Sequence, residues 1–482
     1  MNKSIYMKNI RIVILSLLSL LTLSTQAKDG YTITLKIAGL PKQKLLLGYY
    51  YGDKQYVRDS AITDVTGKVV FKSKDNIEGG IYLIANEQKS LLFDFVLSES
   101  EFSLETDTSD LIGNMVVKNS PENTAFFNYS KFTTKAGREA YKLEEKIKEA
   151  IELKDTAATT KYKAELRKIE ESVGEYRKKA IAETPAMLIS KIFRMMQEIT
   201  VPEPPKLPGG GIDSMFQYNY YREHYFDNFD FTDDRIVRTP IFHPRLQNYI
   251  VKITPQIPDS INRAADFVIN KAMKSKEISK WCIYWITNYY ETSQYMGMDA
   301  VFVHMALKYY QDKALTFWVD ETLRYKIVDR AKTLEFNILG KKAQNLTLPD
   351  TAGNYQSLYN IKADYTVVVF WDATCGRCKE EMPRLLELYN EQNKTVKMKT
   401  GKKVDVYAVS LTVETKTWKD YIRSIKIPWT NVHDPNHESN FRKLYDVYST
   451  PVVYLLGKDK KIIAKRLSIE QVKEFIEKGI TE

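Results

Sequence analysis

The chain divides into three regions by the spacing of its hydrophobic residues. From residue 30 to about 128, short apolar runs are separated by turn residues such as Asp64, Gly67 and Gly79. From about 131 to 337, apolar residues recur at steps of three and four among Ala, Glu, Lys and Arg, which is the period of an amphipathic helix. From about 336 onward, continuous apolar runs alternate with helical patterns. The patterns predict a β region, a helical region and an α/β region, in that order.

The first region has the pattern of a small all-β domain. Several short strands at this spacing, bounded by turn residues, predict an antiparallel β-sandwich. The predicted strands lie at 31–37, 44–51, 68–72, 81–85 and 90–96.

The second region has the pattern of a set of packed helices. Residues 136–154 and 159–183 predict a long helical hairpin. A segment rich in Pro and Gly at 201–211 predicts a loop. Shorter helices are predicted near 258–275, 277–292, 297–312 and 315–332.

Three features of the helical region have both a functional and a structural interpretation. Residues 218–235 combine aromatic and acidic side chains, which either line a binding groove or fill a seam between helical blocks; we favour the seam. His224 and His243 hint at a metal site, but their spacing matches no common ligand pattern, so structural histidines are favoured. Cys282 lies among large apolar residues and is predicted to be a buried small hydrophobe.

The third region predicts an α/β domain with a cysteine pair at the end of its central strand. The run 364–371 has the continuous apolar character of a strand that is buried on both faces. Cys375 and Cys378 follow at once, and a helix is predicted from about 377 to 390. A strand at 404–411, helices at 414–425 and 438–448, a strand hairpin at 450–464 and a helix at 469–478 complete a βαβαββα order.

The N-terminus has the layout of a secretory signal peptide. Lys3, Lys8 and Arg11 precede an apolar core at 12–23, and cleavage is expected after Ala27. A retained membrane anchor is the alternative, although twelve residues are few for a span that needs about 20. The mature protein is therefore expected in the periplasm or cell envelope.

The chain length and the net charge restrict the number of domains and the kind of partner. The 482 residues suggest about three domains at ~150 residues each. The predicted parts are a signal peptide at 1–27, a β-sandwich at 28–128, a helical domain at 129–335 and the α/β domain at 336–482. The net charge of +10 is spread thinly among interleaved acids, which argues against a nucleic-acid partner.

Residues of roughly 338 to 482 resemble the TlpA/ResA-like branch of the thioredoxin superfamily, exported proteins that reduce or exchange disulfides. A strand, a short loop with CxxC and then a helix is the context that makes this four-residue motif informative. The residues that carry the resemblance are Phe370, Trp371, Cys375, Cys378, Glu381, Pro383 and the pair Thr450-Pro451, which looks like the cis-proline loop of that fold. More loosely, residues 59–61 and 67–71 resemble a β-sandwich domain of unknown function that often opens such proteins.

Catalytic roles can be assigned to three of these residues. Cys375 lies at the N-terminal edge of the predicted helix, where free amides and the helix dipole stabilise a thiolate, so it is the predicted nucleophile. Cys378, one turn further, is the predicted resolving thiol, and the two form the redox disulfide. Glu381 lies three residues beyond Cys378 on the same helix face and is the predicted proton acceptor. The buried Asp that many cytosolic thioredoxins place six residues before the first cysteine is here Val369.

Five residues are predicted to contact the client: Trp371, Thr374, Arg377, Thr450 and Pro451. A cis bond at Thr450-Pro451 would present the Thr450 backbone to an extended client chain beside Cys375. Arg377 adds positive charge between the thiols. Thr374 departs from the family, which usually has Trp directly before the first cysteine, and a longer basic connection at 393–403 is a second departure.

The expected partners are disulfide-bearing client proteins and an upstream membrane electron donor. No cofactor is expected besides the Cys375–Cys378 disulfide, and no metal, since a zinc site would need two more ligands and the nearby His433 and His437 lie in a Pro-containing loop. A peroxidase of the same superfamily would need a lone reactive cysteine after a proline-containing loop, and the residues 371–374 before Cys375 contain no proline. The alternative from another class is a non-catalytic scaffold of the cell envelope whose thioredoxin domain docks partners. The direction of electron flow is open.

Overall fold

The computed structural model describes residues 30–397 and 403–479, and the predicted signal peptide and part of the predicted basic connection lie outside them. The chain forms two compact units, which divide between Arg245 and Leu246. The predicted helical domain, 129–335, is therefore divided between the two units. Within the described residues, no helix combines the length and the apolar content that crossing a membrane requires.

The first unit begins with two four-stranded sheets whose inner faces share one hydrophobic core, which confirms the predicted β-sandwich. The strands are β1 (Tyr31–Ala38), β2 (Lys44–Tyr51), β3 (Lys54–Ile62), β4 (Lys68–Ser73), β5 (Gly80–Asn86), β6 (Leu91–Leu97), β7 (Glu101–Asp107) and β8 (Val116–Lys118). The sheet orders are β4-β1-β7-β8 and β3-β2-β5-β6. Along β1 the side chains alternate between buried and more exposed positions, as expected for a strand with one face on a core.

Two details of the sandwich differ from the prediction. The described strands of the sandwich pair antiparallel, as predicted, with one exception: β1 pairs with β7 in parallel. The sequence pattern also missed β3, β7 and β8. β3 is an edge strand without a fully buried residue, so it lacks the apolar alternation that would mark it.

The rest of the first unit is helical, and the predicted hairpin is confirmed. It begins at Pro121, fifteen residues before the predicted start, where the Ser120 hydroxyl accepts the Asn123 amide and Pro121 occupies the first turn. The helices are α1 (Pro121–Glu152), α2 (Thr156–Glu183), α3 (Leu188–Met196) and α4 (Phe216–His224), and α5 (Phe242–Gln247) spans the division.

The second half of the aromatic segment at 218–235 is buried packing, in line with the favoured structural interpretation. Tyr225, Phe226, Phe229 and Phe231 are buried, and Phe226 lies edge-on to both Phe229 and Phe231 at 5.1 and 5.8 Å between ring centroids. These rings are packed against one another, so they do not line a groove.

The second unit opens with four helices close to the predicted positions, including the one that buries Cys282. They are α6 (Pro258–Ala272), α7 (Lys276–Glu291), α8 (Asp299–Met305) and α9 (Glu321–Glu335). Cys282 is 0% exposed, and burial raises the pKa of its thiol. Its prediction as a buried hydrophobe is confirmed.

The α/β domain is built around β11 (Tyr365–Trp371), all seven residues of which are buried. Val367, Val369 and Trp371 face one core cluster, whereas Val368 and Phe370 face the other, so the strand is covered on both sides. The other elements are β9 (Thr347–Pro349), β10 (Tyr355–Ser357), α10 (Gly376–Lys397), β12 (Val404–Ser410), α11 (Thr415–Ile425), β13 (Thr430–His433), α12 (Phe441–Tyr445), β14 (Val452–Leu456), β15 (Ile462–Lys465) and α13 (Ile469–Lys478). The sheet order is β13-β12-β11-β14-β15, with β14 antiparallel to β11.

Candidate active site

The cysteine pair lies where the central strand β11 turns into helix α10. Asp372 shapes the turn: its carboxylate accepts the Thr374 amide and hydroxyl, both at 2.7 Å, and its carbonyl accepts the Cys375 amide at 3.1 Å. The Thr412 hydroxyl accepts the neighbouring Ala373 amide at 2.8 Å and ties the turn to the end of β12. These bonds place Cys375 at the first turn of the helix, as the sequence predicted.

The Cys375 thiol is partly exposed and its environment favours the thiolate. Burial by itself would raise the pKa of Cys375, but hydrogen bonds from the Cys378 backbone and thiol and from the Arg377 backbone outweigh it and lower the pKa. Amides at a helix N-terminus stabilise negative charge on sulfur in this way. Cys375 therefore has the accessibility and the acidity of a nucleophile.

The Cys378 thiol has the opposite character. It is 1% exposed, and burial raises its pKa to about 12. The Asp372 amide lies 3.5 Å from its sulfur. At neutral pH this thiol is protonated, so it needs a base before it can attack.

Glu381 is the carboxylate that the same helix places one turn beyond Cys378. Its side chain is 13% exposed, and one oxygen, Oε1, lies 3.4 Å from Arg384 Nη1. The other, Oε2, is buried and accepts no hydrogen bond from any residue in 30–397 or 403–479. A buried acceptor without a donor is costly in a folded protein, so it calls for a functional explanation. Glu380, by contrast, is exposed.

The Thr450-Pro451 bond is cis, and the Thr450 carbonyl lies 3.5 Å from the Cys375 sulfur. The predicted position of this loop beside the nucleophile is confirmed. An extended client chain that paired with the Thr450 backbone would carry its disulfide to Cys375.

One predicted client contact is wrong. Trp371 is 0% exposed and packs against Tyr421 in a tilted arrangement, at 5.3 Å between ring centroids, so it offers no surface to a client. An apolar residue at the end of a fully buried strand is covered on both faces, which the family motif alone does not reveal. Thr374 and Arg377 are exposed, and their contacts with a client stay predictions.

Sequence reasoning missed three residues that shape the site. Asp372 and Thr412 hold the turn, and the signal for Asp372 was its position two residues before Thr374, where an Asx turn forms. Tyr421 has a buried hydroxyl with no hydrogen-bond partner among the described residues. Burial raises the pKa of this phenol, and Cys378 adds to the effect.

Two of the candidate metal-binding histidines, His433 and His224, have partners within the protein. His433 is buried, contacts the Thr412 carbonyl through Nε2 at 2.6 Å and stacks on Trp418 at 4.3 Å. His224 pairs with Asp227. In the part of the chain that the structure describes, no group of three or more His, Cys, Asp or Glu side chains could hold a metal ion.

The difference between the two thiols predicts a pH-dependent alkylation pattern. Since only the thiolate reacts, the rate at Cys375 should fall as the pH drops through its lowered pKa, while Cys378 should stay unreactive until the pH approaches about 12. Iodoacetamide labelling of the reduced protein between pH 5 and 10, read by peptide mass spectrometry, measures both rates. Labelling of Cys378 at the rate of Cys375 would contradict the assignment.

Comparison with known proteins covers the chain in three segments. The AhpC/TSA family model matches residues 339–465, and two domains of unknown function, DUF5106 and DUF4369, match 156–333 and 31–126. The thiol-disulfide oxidoreductase ResA of Bacillus thuringiensis is 27% identical over 139 residues, which cover 29% of this chain and 75% of the relative.

Two similar solved structures each match the chain over about 30% of its length. A domain of a possible thiol-disulfide isomerase from Cytophaga hutchinsonii is 40% identical, with 92% of that domain covered and a TM-score of 0.26. The thioredoxin domain of a thiol-disulfide oxidoreductase from Bacteroides vulgatus is 28% identical, with 98% covered and a TM-score of 0.27.

Proposed function

We propose that this chain, a thiol-disulfide oxidoreductase of the TlpA/ResA-like branch of the thioredoxin superfamily, reduces or exchanges disulfides of client proteins outside the cytoplasm. One observation carries the proposal: an accessible thiol of lowered pKa and a buried thiol of raised pKa share one helix turn beside the Thr450 carbonyl. Such a pair can attack a disulfide and then resolve the product.

The reaction has two exchanges. The Cys375 thiolate attacks one sulfur of the client disulfide, the client S–S bond breaks, and the other client sulfur leaves as a thiolate that takes a proton. Cys378 gives its proton to Glu381 and attacks the Cys375 sulfur. The mixed disulfide breaks, and the second client sulfur leaves as a thiolate that takes up the proton held by Glu381. Two electrons have then passed to the client, and a Cys375–Cys378 disulfide remains.

Turnover then requires an electron donor. We infer that a membrane-bound dithiol partner reduces the Cys375–Cys378 disulfide by the reverse sequence of exchanges. The accessible sulfur of Cys375 is the one a partner thiolate can reach, because Cys378 is 1% exposed.

The thiol environments favour the reducing or exchanging direction. Strong oxidants of this superfamily are oxidising because their reduced form is strongly stabilised. Here burial opposes the hydrogen bonds that stabilise the Cys375 thiolate, so the reduced form gains less from them than it would at a fully exposed helix N-terminus. Cys378 stays a neutral thiol in the reduced form and adds no thiolate stabilisation.

The reduction potential of the Cys375–Cys378 couple tests this direction. Equilibration of the full mature chain with glutathione or dithiothreitol buffers, with the thiols counted by mass spectrometry, gives the value. We expect a potential near about −250 mV, whereas one above about −150 mV would replace a reductase by an oxidase or isomerase.

The place of action rests on the N-terminal pattern. A charged start, an apolar core at 12–23 and small residues before Lys28 support export with cleavage after Ala27. N-terminal sequencing of the protein from its native cell envelope should begin at Lys28; an intact Met1 in the membrane fraction would indicate a retained anchor.

A further inference from the structure

A cleft with a volume of about 520 Å³ lies beside the cysteine pair, on the side of the Thr450-Pro451 loop. Arg377, Glu381 and Pro451 line the wall that belongs to the active site. The opposite part of the lining includes a residue from helix α9 and carries two guanidinium groups and one carboxylate. It contains Arg330, Asp446 and Arg466.

Two arginines of this cleft share one buried carboxylate. The Asp446 side chain is 3% exposed; Arg330 binds both of its oxygens, with Nη2 at 3.1 Å from Oδ2, and Arg466 Nη2 binds Oδ2 as well. The bidentate Arg330 contact fixes the guanidinium in one orientation. Each guanidinium has five donors, so a single carboxylate cannot satisfy the two together.

The guanidinium groups of Arg330 and Arg466 remain partly accessible from the cleft. The side chains of Arg330 and Arg466 are 38% and 58% exposed, although their partner is buried. With Arg377 the cleft holds three guanidinium groups against two carboxylates. Of the two acids, Asp446 is already bound, and Glu381 lies close to Arg384. The charge that faces an incoming chain is therefore positive.

Arg330 does not belong to the α/β domain. It lies on α9, within the segment 156–333 that a separate family model matches, whereas the thioredoxin-like match begins at residue 339. Helix α9 therefore supplies a charged group to a cleft that Pro451 and Arg377 also line. A thioredoxin domain alone would present this cleft without that guanidinium.

We propose that this cleft is a subsite for a carboxylate side chain of the client, so that the preferred substrates are disulfides with an Asp or Glu a few residues from the attacked cysteine. The inference rests on the proposed function and names its substrate class. A client strand paired with the Thr450 backbone would run along the wall formed by Pro451, Val452 and Val453, which line the same cleft. A carboxylate fits because guanidinium groups bind it in bidentate geometry.

Two matched disulfide peptides test the subsite with the full chain as enzyme. They differ only in Glu or Gln at two to four residues from the reactive cysteine, and kcat/KM is measured for each. We expect the Glu peptide to react about tenfold faster, a ratio that should fall as the ionic strength rises. Arg466→Gln, which leaves the Arg330–Asp446 ion pair in place, should lower the ratio of kcat/KM for the Glu peptide to that for the Gln peptide to about twofold. Arg423→Gln, an exposed arginine on α11, is the matched control that should retain it.

The outcomes separate this inference from the function on which it rests. Equal kcat/KM values for the two peptides, or a ratio that survives in Arg330→Gln/Arg466→Gln, would overturn the subsite while the oxidoreductase activity stands. Failure to reduce either peptide would overturn the proposed function, and the subsite with it. Circular dichroism of the variants shows whether the loss of an Asp446 partner has altered the fold.

Discussion

Cys375→Ser is expected to abolish disulfide reduction, whereas Cys378→Ser is expected to retain attack and to accumulate a covalent mixed disulfide with the client. Without Cys375 the accessible thiolate is lost, and the buried Cys378 cannot replace it because its pKa is about 12. Without Cys378 no internal thiol can break the Cys375–client bond. Both variants should lose turnover by on the order of a thousandfold or more, but only one should hold its client.

Insulin reduction with dithiothreitol as donor measures the loss, and non-reducing gel electrophoresis detects the trapped client. Cys282→Ala is the matched control, since that thiol is fully buried away from the site and its replacement should leave turnover close to wild type. If client binding were strong and equal in the wild type and in both active-site variants, with no turnover in any of them, the non-catalytic scaffold would be the better description.

The α/β domain was predictable because each of its signals is local. The apolar run of β11 predicts a strand that is buried on both faces, and the CxxC pair predicts the turn that follows it. Thr450-Pro451 predicts the cis-proline loop that faces this turn. Those features follow from short stretches of sequence and from their order. The edge strand β13 was missed, since four residues between two helices give too short a pattern to separate from a loop.

The features that could not be predicted depend on long-range packing. The parallel pairing of β1 with β7 joins residues about 70 positions apart, and no local pattern states it. Trp371 packs against Tyr421 of α11, 50 positions away, within one core cluster. The pairing of Arg330 with Asp446 joins residues 116 positions apart. Each of these contacts exists only in the folded protein. The last two help to set the shape and the charge of the active-site region.

Glu381→Gln is expected to slow the second exchange by about a hundredfold while leaving the first almost unchanged. The substitution keeps the shape of the side chain but removes the proton acceptor, and general-base catalysis typically contributes about 10²–10⁴ in rate. The first exchange needs no such base, because the environment of Cys375 already favours its thiolate. The mixed disulfide should therefore persist in this variant and then decay slowly, in contrast to its permanence in Cys378→Ser.

Quenched-flow mixing with a disulfide peptide, followed by acid trapping and mass spectrometry, resolves the two steps. Glu380→Gln is the matched control on the same helix, since its side chain is exposed and its loss should change neither rate. If Glu381 had a purely structural role, Glu381→Gln would slow attack and resolution by similar factors, or would lower the stability of the protein without a selective effect on either rate. Selective slowing of resolution would instead explain why a buried carboxylate oxygen one turn beyond Cys378 has no hydrogen-bond donor among the residues that the structure describes.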